Sequence, residues 1–213
     1  MAATKVDKQR RSSYGQDADL TLVDRAGVWL SDRRIRGIGP VDGKRVADIG
    51  CGYHASFAMR LQPVASAVTL LDVALNPDLA EVPKVRCVVG SLPDALAELE
   101  SESVDLLVCN SVLEHLWDPL RSLGEFWRIL APGGVSFINV PSWMGKRFLE
   151  FSAFRLGLSP AVEMNDHKNY YDPRDLWPLL VRAGFAPRDI ACHRHKLGLN
   201  TYAVCRKDPA SIK

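Results

Sequence analysis

A chain of 213 residues is long enough for one well-buried domain and too short for two large ones joined by a linker. With 47% apolar and 24% charged residues its composition is that of a soluble globular protein, which excludes general disorder and a membrane-embedded chain. A formal charge of +2 is too small to argue for nucleic acid as a partner.

Lys5, Lys8, Arg10 and Arg11 face only Asp7 and read as a solvated end. A helix is predicted over 17–36, where Leu20, Val23, Ala26 and Leu30 share one face, and Gly37, Gly39 and Pro40 end it. Strands follow at 45–50, 67–72, 85–89, 104–109 and 134–140, separated by turns or by segments of helical length. Asp118 caps a further helix with Pro119 at its first position. Leu120, Leu123, Trp127 and Leu130 form its expected apolar stripe, and 131–134 stop it. Another helix starts after Asp172-Pro173 and ends at Gly184, with Pro178 expected to loosen its first turns. Residues 188–206 read as two strands around Gly198 and Asn200, an antiparallel hairpin at a sheet edge. Repeated β-α-β order means a parallel sheet covered on both faces, with ligands beyond the carboxyl ends of its strands.

No stretch approaches the roughly 18 to 20 apolar residues of a spanning helix, and the amino terminus lacks an apolar signal core. A cytoplasmic protein without stable membrane insertion is therefore expected. The five cysteines, Cys51, Cys87, Cys109, Cys192 and Cys205, have no paired-ligand spacing and read as small hydrophobes in a reducing compartment. Alternation on a strand sets Cys192 opposite His193 and His195, so no metal site is expected there.

The run VADIGCGYHASFA, residues 46–58, joins a strand to a helix through a glycine turn. Gly50, Gly52 and Ala55 fit G-x-G-x-x-A, and Asp72 follows 20 residues after Gly52 at the end of the next strand. Such a turn admits close approach of a ligand, and a carboxylate there can accept both ribose hydroxyls. A dinucleotide and S-adenosylmethionine both want those two devices. Asp48 separates them: a carboxylate repels a docked pyrophosphate but attracts the ammonium and sulfonium of S-adenosylmethionine. The competing reading is that Asp48 only caps the following turn.

The D-I-G-C-G run at 48–52, L-L-D at 70–72, CNSVLEHLWDP at 109–119 and RILAPGGVSFINVPS at 128–142 together resemble the class I S-adenosylmethionine-dependent methyltransferases. They are most similar to the branch typified by ubiquinone and menaquinone biosynthesis methyltransferases. The resemblance spans residues 44–206 and implies a Rossmann-like three-layer α/β sandwich, with a mostly parallel seven-stranded sheet and an antiparallel C-terminal edge hairpin. Residues 1–43 would then be an arm and helix that pack on the core, cover the cofactor or pair with a second copy, and 207–213 a tail. The cofactor implied is S-adenosyl-L-methionine. Asp48, Gly50, Cys51 and Gly52 would frame its methionine part, Asp72 and Val73 its ribose, and Gly90, Ser91 and Leu92 its adenine. Asn110 and Ser111 would pass beneath the sulfonium. Two positions depart from the family pattern: His54 stands where a third glycine is common, and Ser91 where an acid is common.

The reaction implied is in-line displacement at the methyl carbon, in which the protein chiefly aligns and desolvates two reactants. An oxygen acceptor benefits from a histidine base. His115 lies just past the fourth strand and His167 beyond the fifth; each is a candidate base, with a loop-ordering role as the alternative. Residues 142–170 are the expected substrate-side insertion, offering Trp143, Tyr170 and Tyr171 to the acceptor. Phe148, Phe151 and Phe154, with Lys146, Arg147 and Arg155 on the polar side, would make a lid or membrane-resting surface, or else pack on the sheet. Asp166 is a further acid of this loop without an assigned role. Two other functions stay open: a dinucleotide oxidoreductase, and a binding module that kept the fold without the chemistry.

Overall fold

The computed structural model describes residues 13–16, 22–148 and 166–209. Its elements in chain order are α1 (Leu22–Arg36), β1 (Arg45–Ile49), α2 (Ser56–Leu61), β2 (Ala67–Asp72), β3 (Val85–Val89), β4 (Val104–Asn110), α3 (Pro119–Ile129), β5 (Leu130–Pro141), α4 (Pro173–Arg182), β6 (Ile190–His195) and β7 (Asn200–Arg206). Residues 143–148 are also helical. The seven strands form one sheet in the order β3-β2-β1-β4-β5-β7-β6. β7 alone opposes the rest, pairing antiparallel with β5 and β6, so the expected edge hairpin is present.

Strand alternation divides the core in two. Ala47, Ile49, Leu107, Cys109, Ile138 and Val140 face Leu123, Phe126 and Ile129 of α3 and Leu176 and Leu180 of α4. Val46, Val68, Leu70, Leu106, Val108 and Phe137 face Ile35 of α1 and Ala58 and Leu61 of α2. Both faces of the central strands are thus apolar, as a parallel sheet covered by helices requires. Cys192 packs on the α4 side, whereas His193 and His195 lie against Tyr202 of the other face.

Two sequence expectations are corrected. The buried face of α3 carries Ser122, Leu123, Phe126 and Ile129, while Leu120 and Trp127 flank it half-buried. A helix turning 100° per residue carries one face through 122, 126 and 129, a set the stripe read from leucines misses. The same helix ends at Ile129 rather than at the glycines, because Leu130 already pairs with Val104 and β5 then bulges before Leu106 meets Val135. Asp118 caps α3 through the Arg121 amide at 3.2 Å. Asp172 and Asp175 form a reciprocal capping box on α4, which continues through Pro178. Of the stripe predicted for the first helix, Leu20 and the side chains of Val23 and Ala26 lie outside the described residues.

Candidate active site

The strand order reverses between β1 and β4, so the loops that leave their carboxyl ends diverge and open a crevice. The glycine turn fills one side of it. Gly50 and Gly52 adopt φ of +71° and +76°, the left-handed region that a side chain disfavours. The Gly50 amide donates to the Leu71 carbonyl at 2.7 Å, pinning the turn to the end of β2. Asp72, at that end, accepts from the Gly52 amide at 2.8 Å and from the Val73 amide at 2.7 Å. One carboxylate therefore orders both loops that meet at the predicted ribose position. Tyr14 lies over the turn, its carbonyl accepting from the Tyr53 amide at 2.9 Å. His54 is exposed, and the third left-handed residue of this turn is Ala55, with φ of 45°.

Asp48 sits beneath the turn on the α2 side, only 4% exposed. Burial raises its pKa to about 7, the charges of Asp72 and Asp32 push the same way, and the Ala58 amide partly opposes them. Capping of α2 is therefore part of its role. Even so, the acids Asp48 and Asp72 together make the turn hostile to phosphate and receptive to a cation. Cys51, half-buried beside them, is held as the neutral thiol by burial and by both carboxylates.

A proton linkage follows. A cationic ligand favours ionised Asp48, so its binding should release a proton and strengthen as pH rises from about 6 to about 8, by up to about tenfold over that whole interval. In the free protein the sign is opposite. The folded state keeps a proton that the unfolded chain loses near 3.8, so this contribution to stability fades as pH climbs towards about 7. Thermal shifts with and without S-adenosylhomocysteine across that range should diverge; parallel curves would remove Asp48 from the ligand's surroundings.

The other positions expected to contact the cofactor lie at the ends of β3 and β4. The Gly90 amide donates to the Asp72 carbonyl at 2.9 Å, and a Cβ there would meet that of Ala95 at 2.8 Å. The Ser91 carbonyl accepts from Ala95 at 2.9 Å, and Leu92 packs half-buried on the α3-side core. At the end of β4, Asn110 accepts from the Asn139 side chain at 2.9 Å, and Ser111 turns through φ of 59° while donating to the Asn139 carbonyl at 2.8 Å. That strained corner delivers Val112 against Gly50, closing the floor between β1 and β4.

Beyond it the two histidines come together. The Glu114 carbonyl accepts from the amides of Lys168 at 2.7 Å and Asn169 at 3.1 Å. Lys168 Nζ reaches the His115 carbonyl at 2.9 Å, and Asn169 Nδ2 the Leu116 carbonyl at 2.7 Å. These bonds lace 166–171 onto 113–116 and set the rings of His115 and His167 with centroids 4.8 Å apart. His115 Nδ1 lies 3.0 Å from Asp166 Oδ2, an ion-pair contact in which the carboxylate favours the protonated imidazole. His167 Nδ1 lies 3.2 Å from the Tyr170 hydroxyl.

Sequence reasoning missed three members of this group. Glu114 is buried, and one of its carboxylate oxygens lies within 4.8 Å of ring nitrogens of both His115 and His167, a set able to hold a cation. Its only signal was adjacency to His115. Asp166, to which the sequence assigns no role, forms the ion-pair contact with His115. Lys196, in the turn between β6 and β7, is depressed to about 8 by burial while the Glu114 charge opposes that shift; nothing local in the sequence marks it. One expectation is corrected: Tyr171 packs in the core beneath the site, with its hydroxyl pushed up by burial and by Glu114, and it presents no surface to an acceptor. Trp143 is half exposed and its ring lies 5.7 Å from that of Tyr170. Phe151, Phe154 and Arg155 lie outside the described residues.

A family described as "Methyltransferase domain" matches residues 28–190. The chain belongs to this methyltransferase family. Its cofactor is S-adenosylmethionine, which the acid-lined glycine turn suits as it would not suit a dinucleotide. The methyltransferase is 31% identical over 124 residues to a protein of Paracidovorax citrulli named ubiquinone biosynthesis O-methyltransferase, covering 54% of this chain and 51% of that one. A protein of the same name from Neisseria meningitidis is 25% identical over 182 residues, covering 80% and 76%. The chain thus spans about half to three quarters of the length of these relatives. Among solved structures, the methyltransferase bound to the Trm112 methyltransferase activator of Haloferax volcanii superposes with a TM-score of 0.64 at 16% identity, covering 86% of this chain and 92% of that one. A SAM dependent methyltransferase of Archaeoglobus fulgidus gives 0.59 at 16%, covering 84% and 94%. Both share the Rossmann-like fold. No helix among the described residues is long and apolar enough to cross a membrane.

Proposed function

We propose that this methyltransferase moves the methyl group of S-adenosylmethionine onto a hydroxyl oxygen of a small, partly apolar molecule, with His115 as the base. The observation that carries the reading is the contact of His115 Nδ1 with Asp166 at 3.0 Å, beside the β4 corner that closes the cofactor crevice. Bound S-adenosylmethionine supplies a methyl group already activated by its sulfonium. Glu114, through its carbonyl, holds the loop that carries both histidines. Asp166 orients His115, whose Nε2 takes the hydroxyl proton as the new oxygen–carbon bond forms. The carbon–sulfur bond breaks in the same step and its electron pair stays on sulfur, while Asp166 stabilises the imidazolium until the proton passes to water. His167, edge-on to His115, narrows the approach to one face. The names of the two ubiquinone-pathway relatives favour oxygen as the acceptor atom.

The grouping of Glu114, His115 and His167 favours a second reading, in which a divalent cation held there lowers the pKa of the acceptor hydroxyl in place of a histidine base. Incubation with methyl-labelled S-adenosylmethionine and 3,4-dihydroxycinnamate tests both. An alkali-stable methyl ether is expected, formed equally well after exhaustive chelation. Loss of product on chelation, restored by Mg²⁺ or Zn²⁺, would replace the histidine base with the metal. An alkali-labile ester or a carbon-methylated ring would contradict hydroxyl transfer.

A further inference from the structure

We infer, on the reading that S-adenosylmethionine occupies the crevice at the glycine turn, that the 13–16 turn is a wall of the cofactor site and that the Ser13 hydroxyl donates a hydrogen bond to the cofactor's carboxylate. Where the turn docks and which polar atom it buries carry this independently.

The 13–16 turn is closed on itself. The Gln16 amide donates to the Ser13 carbonyl at 3.2 Å, and the Ser13 amide donates to Gln16 Oε1 at 3.1 Å. It is also fastened to the glycine turn, because the Tyr53 amide donates to the Tyr14 carbonyl at 2.9 Å and the Asn76 amide to the Tyr53 carbonyl at 2.9 Å. One strip of main-chain bonds thus joins 13–16 to the loop after β2, whose Val73 amide is held by Asp72. Gly52 shows how close the docking is. A Cβ there would lie 3.1 Å from the Tyr14 carbonyl oxygen and 3.7 Å from Cδ1 of its ring. Val112 takes the space of a side chain at Gly50, and Tyr14 takes it at Gly52, so the left-handed turn is built to receive both.

Ser13 is the buried member of the turn, 5% exposed, whereas Tyr14 and Gln16 are exposed. Its Oγ is shielded from solvent and has no hydrogen-bond partner among the described residues. A buried hydroxyl without a partner is destabilising on its own account, and native proteins keep one where a ligand or a bound water completes it. The cofactor carries one group that fits. Asp48 and Asp72 suit its ammonium, its sulfonium and its ribose hydroxyls, and both repel its carboxylate. Asp48 lies beneath the glycine turn and Tyr14 lies over it, so the carboxylate is best placed against the upper wall. There Ser13 offers a neutral O–H donor to an ionised acceptor.

Calorimetric titration of S-adenosylhomocysteine, and of S-adenosyl-3-thiopropylamine, which lacks only the carboxylate, into the parent and into Ser13→Ala tests this. The variant should bind S-adenosylhomocysteine about tenfold more weakly, the worth of one hydrogen bond to a charged group, and bind the amine within about twofold of the parent. Free Ser13→Ala should melt at or slightly above the parental temperature, since it loses a buried hydroxyl but no bond. In the parent, saturating S-adenosylhomocysteine should slow amide exchange at Gln16 and Tyr53, whose amides hold the turn, by at least about tenfold. Unchanged S-adenosylhomocysteine affinity in the variant would overturn the inference and leave Ser13 to a bound water. Equal parental affinity for the two ligands, equal losses for both in the variant, a lower melting temperature of the free variant, or exchange indifferent to S-adenosylhomocysteine would overturn it as well. Failure of the parent to bind S-adenosylhomocysteine would instead overturn the placement of the cofactor at the glycine turn, and this inference with it.

Discussion

His115→Ala is expected to lower kcat by about 10² to 10⁴, the usual worth of a positioned base, with the KM for S-adenosylmethionine within about twofold. Three neighbours make this the largest expected catalytic effect. Asp166 lies 3.0 Å from the ring and favours the imidazolium, and Lys168 holds the His115 carbonyl at 2.9 Å. His167 stands edge-on at 4.8 Å. Asp166→Asn keeps the shape but no longer stabilises the imidazolium. It should cost less, about tenfold, and shift the acid limb of the pH–rate profile downward, because a histidine beside a neutral amide is the weaker base. His167→Ala should act mainly on the KM of the acceptor. Steady-state kinetics with 3,4-dihydroxycinnamate separates these outcomes. A His115→Ala enzyme that retains more than about a tenth of kcat would contradict the assignment.

Gly50→Ala should destabilise the protein and abolish cofactor binding together. At φ of +71° an L side chain is strained by about 1–2 kcal/mol. The added Cβ would also fall well inside van der Waals contact with Val112 Cγ2. Val112 is β-branched and sits on the strained Ser111 corner, so it cannot swing aside cheaply. Overpacking of this kind adds about 1–3 kcal/mol. Together these lower the melting temperature by roughly 5–15 °C for a chain of this length. The second-site change Val112→Ala should remove the collision and leave the strain, recovering about half of the loss. A Gly50→Ala protein with parental melting temperature and S-adenosylhomocysteine affinity would show that the turn is looser than described. Gly52→Ala, whose Cβ would lie 3.1 Å from the Tyr14 carbonyl, is expected to perturb less, because that contact is far less severe than the collision with Val112 at Gly50.

What the sequence reveals here depends on how local each signal is. β1, the glycine turn, α2 and Asp72 lie within one β-α-β unit, and their order follows from apolar runs broken by glycines. The end of α3 is not legible because Leu130 belongs to a strand whose partner, Val104, lies 26 residues away. The stripe of α3 is ambiguous because leucine and tryptophan are as apolar as Phe126 and Ile129, and packing on the sheet and α4 selects the latter pair. The proposed catalytic cluster is the least local part. His115 and His167 are each visible as polar residues past strand ends. Their approach, however, depends on main-chain amides of Lys168 and Asn169 finding the Glu114 carbonyl, and backbone groups carry no residue signature. Tyr171 shows the reverse error. Its place in an aromatic pair suggests a contact surface, yet its amide bonds the Pro141 carbonyl at 3.0 Å and turns the ring into the core.

Asp72 is proposed to hold the cofactor across the ends of β1 and β2. The direct measurement is calorimetric titration of S-adenosylhomocysteine into the parent protein and into Asp72→Ala. The parent should bind in the micromolar range, about −8 kcal/mol. The variant loses the acceptor for the Gly52 and Val73 amides and the proposed acceptor for two ribose hydroxyls, so it should bind at least about tenfold more weakly. Equal affinity in the two proteins, or no binding to the parent, would contradict it.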